Sequence, residues 1–282
     1  MTSELEKKVN QAIKLLQSVQ KAYPNEQIEV CYSGGKDSDV ILELAKMAKI
    51  NYRAIYKNTT IDPPRTIAHV KSKGVEIRQP TMTFLDIIRK KNIPTMRART
   101  CCRILKEYKI LDVAIQGIRR SESQKRKKRY KATEPIKCRI YGSKKCKAQI
   151  ILPILEWSDT DVAEFIKERN IKCHPLYYDE QGAFHVERRL GCLGCPLKSD
   201  RGLGDYKKYP NLAKAVIKAC QTFLDTHPRS KSLKKFGDGY NIFFHNVFTK
   251  TYDEYRLKTS TDLFGFTPNI KQFLENYFNI KL

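Results

Sequence analysis

The run Ile28-Glu29-Val30-Cys31-Tyr32-Ser33-Gly34-Gly35-Lys36-Asp37-Ser38 constrains this chain more than any other stretch. Its first four residues read as a short buried strand. From Asp39 to Ile50 apolar residues recur at helical spacing. A strand, a tight Ser-Gly-Gly turn and a helix N-terminus in that order form a cradle for phosphate. The glycines let the backbone approach the anion, the free N–H groups point at it, and the helix dipole favours its charge. Lys36 adds a full positive charge, and Ser33 and Ser38 add hydroxyl donors. The spacing is not that of a Walker A loop, which places four residues between its first Gly and its Gly-Lys pair.

Strand patterns at 27–33, 52–57, 74–79 and 111–117 alternate with helical patterns at 37–49, 63–73 and 82–91. Such alternation predicts an α/β fold with a doubly wound, mostly parallel sheet. Ligands bind such sheets at the carboxyl ends of the strands, where the Ser33–Ser38 loop falls. Leu5, Val9, Ile13, Leu16 and Val19 form an apolar stripe that predicts a helix over 3–23, capped by Ser3. After Arg120 the pattern breaks into a basic stretch that reads as a loop as far as Gln149. A short strand is expected at 150–155, then a helix capped by Ser158 with Asp161 in the capping-box position. Two regions result. A nucleotide-binding domain covers 1–200, with a basic insertion at 119–149 and a loop-rich, cysteine-bearing segment at 173–199. A helical, aromatic C-terminal extension covers 201–282.

The formal net charge of +24 over 282 residues exceeds what a small nucleotide requires and suits a polyanion. Between Arg119 and Lys147 there are thirteen Lys or Arg against two Glu. This stretch is the expected contact for nucleic acid, a solvated lysine-rich surface being the other reading. No run of 18 apolar residues occurs and the N-terminus lacks signal-peptide character, so a cytoplasmic protein with no membrane partner is expected. In that compartment nine cysteines argue for metal or redox chemistry.

Four of them stand out, the adjacent Cys101 and Cys102 and the pair in Cys192-Leu193-Gly194-Cys195-Pro196. Two pairs of thiolates suit Zn²⁺ or an iron–sulfur cluster. Adjacent cysteines are awkward ligands for one tetrahedral ion and easier to place on different irons. Cys138, Cys146 and Cys173-His174 form a looser zinc candidate.

The Ser33–Ser38 loop resembles the PP-loop of the ATP pyrophosphatase superfamily. Further motifs follow it in order: Thr100-Cys101-Cys102-Arg103, Gly117-Ile118-Arg119-Arg120-Ser121-Glu122-Ser123, Pro153-Ile154-Leu155-Glu156-Trp157-Ser158-Asp159 and Gly191-Cys192-Leu193-Gly194-Cys195-Pro196. From about residue 26 to 200 the set resembles the phosphoadenylylsulfate (PAPS) and adenylylsulfate (APS) reductase family, including relatives that thiolate nucleic acid. The resemblance implies a [4Fe–4S] cluster on Cys101, Cys102, Cys192 and Cys195. It also implies phosphate binding by Ser33, Gly34, Gly35, Lys36 and Ser38, with Asp37 helping to place Mg²⁺. Gly117 and Arg119 would meet the phosphate or sulfate end, and Asn58 and Thr59 the ribose or adenine. Lys36, Asp37 and Arg119 would carry the chemistry.

Two departures from the reductases shape the functional expectation. Reductases use a nucleophilic cysteine in a C-terminal Glu-Cys-Gly tail, and no cysteine follows Cys220 here. Reductase loops usually lack the Gly-Lys-Asp-Ser ending, which is intact at Gly35–Ser38. The expected function is therefore ATP-dependent adenylation and sulfur transfer to a nucleic acid, tRNA or DNA, held through 119–147. A protein donating sulfur or electrons would be a partner. The alternative is a PAPS or APS reductase forming sulfite, its nucleophile supplied by Cys220 or a partner. A third reading is a catalytically inert nucleotide-binding regulator or defence subunit.

Overall fold

The computed structural model describes residues 1–282 apart from 132–134, 142–145 and 263–264, with backbone alone at 137–141 and 146–147. The chain divides into two compact units. The first takes Met1–Asn58, Asp62–Gln79 and Leu105–Gly191; the second takes Thr59–Ile61, Pro80–Ile104 and Cys192–Leu282.

The first unit holds one sheet of β1 (Ile28–Tyr32), β2 (Tyr52–Lys57), β3 (Glu76–Arg78), β4 (Val113–Ile115), β5 (Ile136–Tyr141) and β6 (Cys146–Ile151). Their spatial order is β3-β2-β1-β4-β6-β5. Five strands run parallel, and β5 closes the edge antiparallel to β6 with Ile136 opposite Ile151. The helices of this unit are α1 (Ser3–Ala22), α2 (Lys36–Met47), α3 (Thr66–Ser72), α6 (Gln124–Arg129) and α7 (Asp159–Glu168).

Alternation along β1 explains the two-sided packing. Ile28, Val30 and Tyr32 join one core with Leu5, Val9 and Leu16 of α1, Ile41 and Leu44 of α2, and Phe165 of α7. Cys31 packs with the opposite core, formed by Ile110, Ala114, Ala148, Ile150 and Leu155. Apolar surface on both faces is what a parallel sheet requires. Trp157 is buried edge-on to Phe165, with ring centroids 5.3 Å apart, and serves packing.

Two local expectations are corrected. The cap of α1 is Thr2 rather than Ser3: Thr2 has extended backbone and its hydroxyl accepts the Leu5 N–H, whereas Ser3 is already helical. The loop expected up to Gln149 contains α6 and the β5–β6 hairpin. Ser123 caps α6 by accepting the Arg126 N–H. The hairpin was overlooked although Ile136-Lys137-Cys138-Arg139-Ile140 alternates apolar and charged residues, because the run of Lys and Arg before it reads as a solvated loop. On the edge strand β5, charge is what keeps an exposed edge from pairing with other chains. The Ser158 capping box with Asp161 is present as expected.

The second unit is helical, with α4 (Phe84–Lys91), α5 (Thr100–Leu105, all but its last residue), α8 (Leu203–Lys208), α9 (Pro210–Thr226), α10 (Lys231–Phe236), α11 (Gly239–Phe248), α12 (Tyr252–Thr259) and α13 (Ile270–Phe278). α9 packs between α4 and α11, burying Val216, Ile217, Phe223 and Leu224. Phe244 stacks on Phe248 at 5.3 Å, and Phe273 meets both edge-on. Among the described residues no helix is long and apolar enough to cross a membrane.

Candidate phosphate-binding site

β1 delivers the chain to Ser33, and Gly34 turns it with φ +79°, a conformation that favours glycine. A Cβ there would also press on Leu190 and Thr66 at 3.3 Å. Gly35 is the N-cap of α2 and supplies no side-chain hydrogen bond, so the helix starts without the usual cap. Ser33 Oγ accepts the Gly35 N–H at 3.4 Å, and Ser38 Oγ donates to the Gly35 carbonyl at 2.7 Å. The two hydroxyls lie 3.3 Å apart. These bonds shape the loop from within.

Lys36 is buried, at 4% exposure. Its Nζ donates to the Arg188 carbonyl at 3.3 Å, lies 3.6 Å from Asp37 Oδ2 and sits 5.4 Å from the centre of the Tyr177 ring. The Tyr177 hydroxyl accepts the Lys36 N–H at 3.2 Å and the Leu190 N–H at 3.3 Å. A phenol oxygen thus receives a helix-terminal N–H that an anion would otherwise take. Arg126 and Arg189 also line this cleft of about 260 Å³, and both are tied to Glu122.

Arg119 is 1% exposed and fully engaged with the protein. Its Nε donates to Asp37 Oδ1 at 2.7 Å and its Nη2 to Asp159 Oδ1 at 2.7 Å. Its Nη1 donates to Ser121 Oγ and the Trp157 carbonyl. The geometry makes Arg119 the residue that orients Asp37. Gly117 lies against the same segment, where a Cβ would come within 2.8 Å of the Asp37 carbonyl oxygen. Cys31 borders the cleft as well, its thiol pushed up to about 12 by burial and by Glu29.

Asn58 and Thr59 do not line this cleft. Asn58 donates to Gln79 Oε1 at 2.8 Å. Thr59 is buried in the second unit, where the Cys192 thiol donates to its hydroxyl at 3.5 Å. Tyr177, Arg188 and Arg189 were missed in the sequence, and Glu122 stood there only as part of the Gly117–Ser123 motif. Arg126 appeared there only as one charge of a basic run, and nothing local marked Tyr177.

Beneath the loop lies a buried polar group. The Tyr32 hydroxyl donates to Asp39 Oδ1 at 2.5 Å and lies 3.0 Å from His69 Nε2. His174 Nδ1 accepts the Leu176 N–H at 3.1 Å, which leaves the proton on Nε2, 3.4 Å from Thr66 Oγ1. Burial, and then the charge of His69, hold His174 below the ordinary imidazole value. The unfolded chain therefore takes up a proton that the folded one resists. Stability should be full above about pH 6.5 and fall as pH drops below it. Thermal unfolding between pH 7.5 and 5 checks this, and His174→Gln should flatten the profile; an unchanged slope in that variant would count against the assignment.

The four cysteines of the sequence analysis all fall in the second unit. The Cys101 thiol is held well above its ordinary range by its hydrogen bond with Cys102, then by burial, then by the charges of Cys102 and Cys192. Cys195 and Cys101 both act on the buried hydroxyl of Tyr206. Gly194 turns the CxxC with φ +61°, and a Cβ there would run into the Tyr206 ring. Asp205 accepts the Gly194 N–H at 2.8 Å and fixes the turn. Among the described residues no three His, Cys, Asp or Glu side chains converge on a single-ion site. Side chains of Cys138 and Cys146 lie outside the described residues.

A helix with no side-chain cap, two glycines and a buried lysine after a central parallel strand make an α/β protein with a glycine turn at the carboxyl end of β1. Residues 27–198 match the phosphoadenosine phosphosulfate reductase domain, and the chain belongs to that family. An uncharacterized protein of Methanocaldococcus jannaschii is 32% identical over 187 residues, which are 61% of this chain and 42% of that one. The chain thus spans less than half the length of that curated relative. Among solved structures, the FMN adenylyltransferase of Candida glabrata aligns at 17% identity over 68% of this chain and 62% of its own, TM-score 0.44. The PAPS reductase of Candida auris, a phosphate complex, aligns at 16% over 68% and 96%, TM-score 0.44. The NH3-dependent NAD synthetase of Campylobacter jejuni aligns at 16% over 83% and 96%, TM-score 0.43.

Proposed function

We propose that this enzyme uses ATP to adenylate an oxygen of a nucleic acid, tRNA or DNA, which sulfur then replaces. The observation that supports this reading most is the uncapped start of α2 beside a polar cleft with a buried lysine. Backbone N–H groups at a helix N-terminus and a fixed cation suit a polyphosphate chain.

In this reading the Gly34 and Asp37 N–H groups meet the phosphates directly, while the Gly35 and Lys36 N–H groups and the Ser33 and Ser38 hydroxyls exchange their present partners within the protein for phosphate oxygen. Lys36 exchanges the Arg188 carbonyl for phosphate oxygen and stabilises the departing pyrophosphate. Asp37, oriented by Arg119, is the carboxylate that would share Mg²⁺ with the phosphates, the common mode for that ion. The acceptor oxygen attacks the α-phosphorus as the bond to pyrophosphate breaks. A sulfur nucleophile at the sulfide level then displaces AMP, so the exchange is redox-neutral. The basic segment 119–147, with the exposed Lys125, Lys127, Lys128 and Arg129 on α6, holds the polymer. A partner protein delivers the sulfur.

Cys101, Cys102, Cys192 and Cys195 are four soft thiols in one unit, Cys101 acted on by both Cys102 and Cys192, and a [4Fe–4S] cluster is the group they would hold. Bound there, it would supply electron transfer or a sulfide relay. Anaerobically purified protein should carry iron and inorganic sulfide, and Cys192→Ser should lose most of both. Zinc in their place would reassign the site.

Pyrophosphate and AMP release from ATP, measured with tRNA, with DNA and without either, tests the whole reading. Stimulation by one polymer is expected and identifies the acceptor class; no release under any condition removes the proposal. Family membership favours a second reading, sulfite formation from APS or PAPS. Cys220 does not suit its nucleophile, being fully buried in α9 with its thiol pushed up to about 12 by burial. A partner thiol would then be required.

A further inference from the structure

A second basic surface lies in the helical unit, away in sequence from 119–147. Residues 226–237 hold Arg229, Lys231, Lys234 and Lys235 and no acid, and all four are exposed. Among the described residues none of the four forms an ion pair. In the basic insertion Arg119, Arg120 and Arg126 are each bound to a carboxylate, while Lys125, Lys127 and Lys128 are exposed and in no ion pair among the described residues.

Half-buried aromatic rings stand among these cations. The Lys235 ammonium lies 3.5 Å from the centre of the Tyr252 ring and 5.4 Å from that of Phe236. Tyr252 stacks on Tyr255 at 5.6 Å and 19°, and Phe236 stacks on His245 at 5.0 Å and 29°. Ser230 accepts the Leu233 N–H and holds α10 in place. The rings are therefore supported from behind by further rings, with flexible cations at their rim.

We infer that the α10–α12 surface binds a single-stranded segment of polynucleotide. Exposed cations beside supported aromatic faces match a strand whose bases are free to stack and whose phosphates are regularly spaced. A base would take the place of the Lys235 ammonium over Tyr252 while the ammonium moves to a flanking phosphate. A duplex offers only its phosphates, since its bases are stacked on one another. This inference rests on the polynucleotide acceptor proposed above and adds a second contact, on a different unit, to the segment 119–147.

The test is fluorescence anisotropy of the full chain with a labelled 12-nucleotide single strand and with the matching duplex, across a salt series. Lys231→Ala/Lys234→Ala/Lys235→Ala should weaken single-strand binding about tenfold or more and lower the salt slope by about 2, at about 0.7 per phosphate contact. Tyr252→Leu keeps an apolar side chain but loses the ring. It should weaken the single strand about fivefold to tenfold and leave the duplex unchanged. Thermal unfolding confirms that the exposed lysine variants remain folded. Parent-like binding by the lysine variant, or loss only in Lys125→Ala/Lys127→Ala/Lys128→Ala, overturns the inference. If polymer-stimulated pyrophosphate release persists in that event, the proposed function survives it. If the parent binds no strand and no polymer stimulates release, both fall together.

Discussion

Replacing Lys36 by alanine is expected to lower pyrophosphate release from ATP by about a thousandfold, the effect of deleting one preorganised charge stabiliser. The size follows from burial. At 4% exposure Lys36 works where water screens little, beside Asp37 and the face of Tyr177. Water entering the vacated space cannot supply a fixed charge. Lys36→Arg should recover little, because a planar guanidinium does not fit the space of a compact ammonium flanked by the Arg188 carbonyl and the Tyr177 ring. Steady-state release by both variants is the measurement, with thermal unfolding as the control for folding. Turnover within tenfold of the parent in Lys36→Ala would remove Lys36 from the mechanism.

Arg119→Ala should cost the fold about 3 kcal/mol, the lower end for breaking a buried ionic contact. Its guanidinium is buried, but Asp37 and Asp159 are 19% and 54% exposed at their side chains and regain some water when it is lost. Arg119→Lys should recover less than half, since one ammonium cannot hold both carboxylates along with Ser121 and Trp157. Urea unfolding reads this directly. The resemblance placed Arg119 against the phosphate or sulfate end of the nucleotide, whereas the structure engages it with Asp37 and Asp159. A variant that keeps its stability yet loses nucleotide affinity would favour the direct contact over the orienting role.

The glycine turn between β1 and α2 was legible because its signals are local. The positive φ of Gly34, the uncapped Gly35 and the charge of Lys36 all fall within three residues. The alternation of strands and helices was legible for the same reason, each period repeating within one element. α6 and the β5–β6 hairpin were not, since the run of Lys and Arg at 125–129 reads as a solvated loop and masks the short alternation in Ile136–Ile140 that follows it. Asn58 and Thr59 are neighbours in the chain, yet one bonds Gln79 and the other takes the Cys192 thiol. No spacing rule separates two such residues.

By itself the chain's order of residues determined the α/β class, the loop after β1 and the four cysteines worth following. Tertiary structure decided what surrounds them. Tyr177 reaches the Lys36 N–H across 141 residues, and the Arg188 carbonyl reaches its ammonium across 152. It likewise closed Arg119 onto Asp37 and Asp159 and brought Cys192 to act on Cys101. The physical reason is one of range. Turn and helix-start preferences act over a few bonds of backbone, whereas the partner of a buried charge is whatever the packing of distant elements brings within about 3 Å.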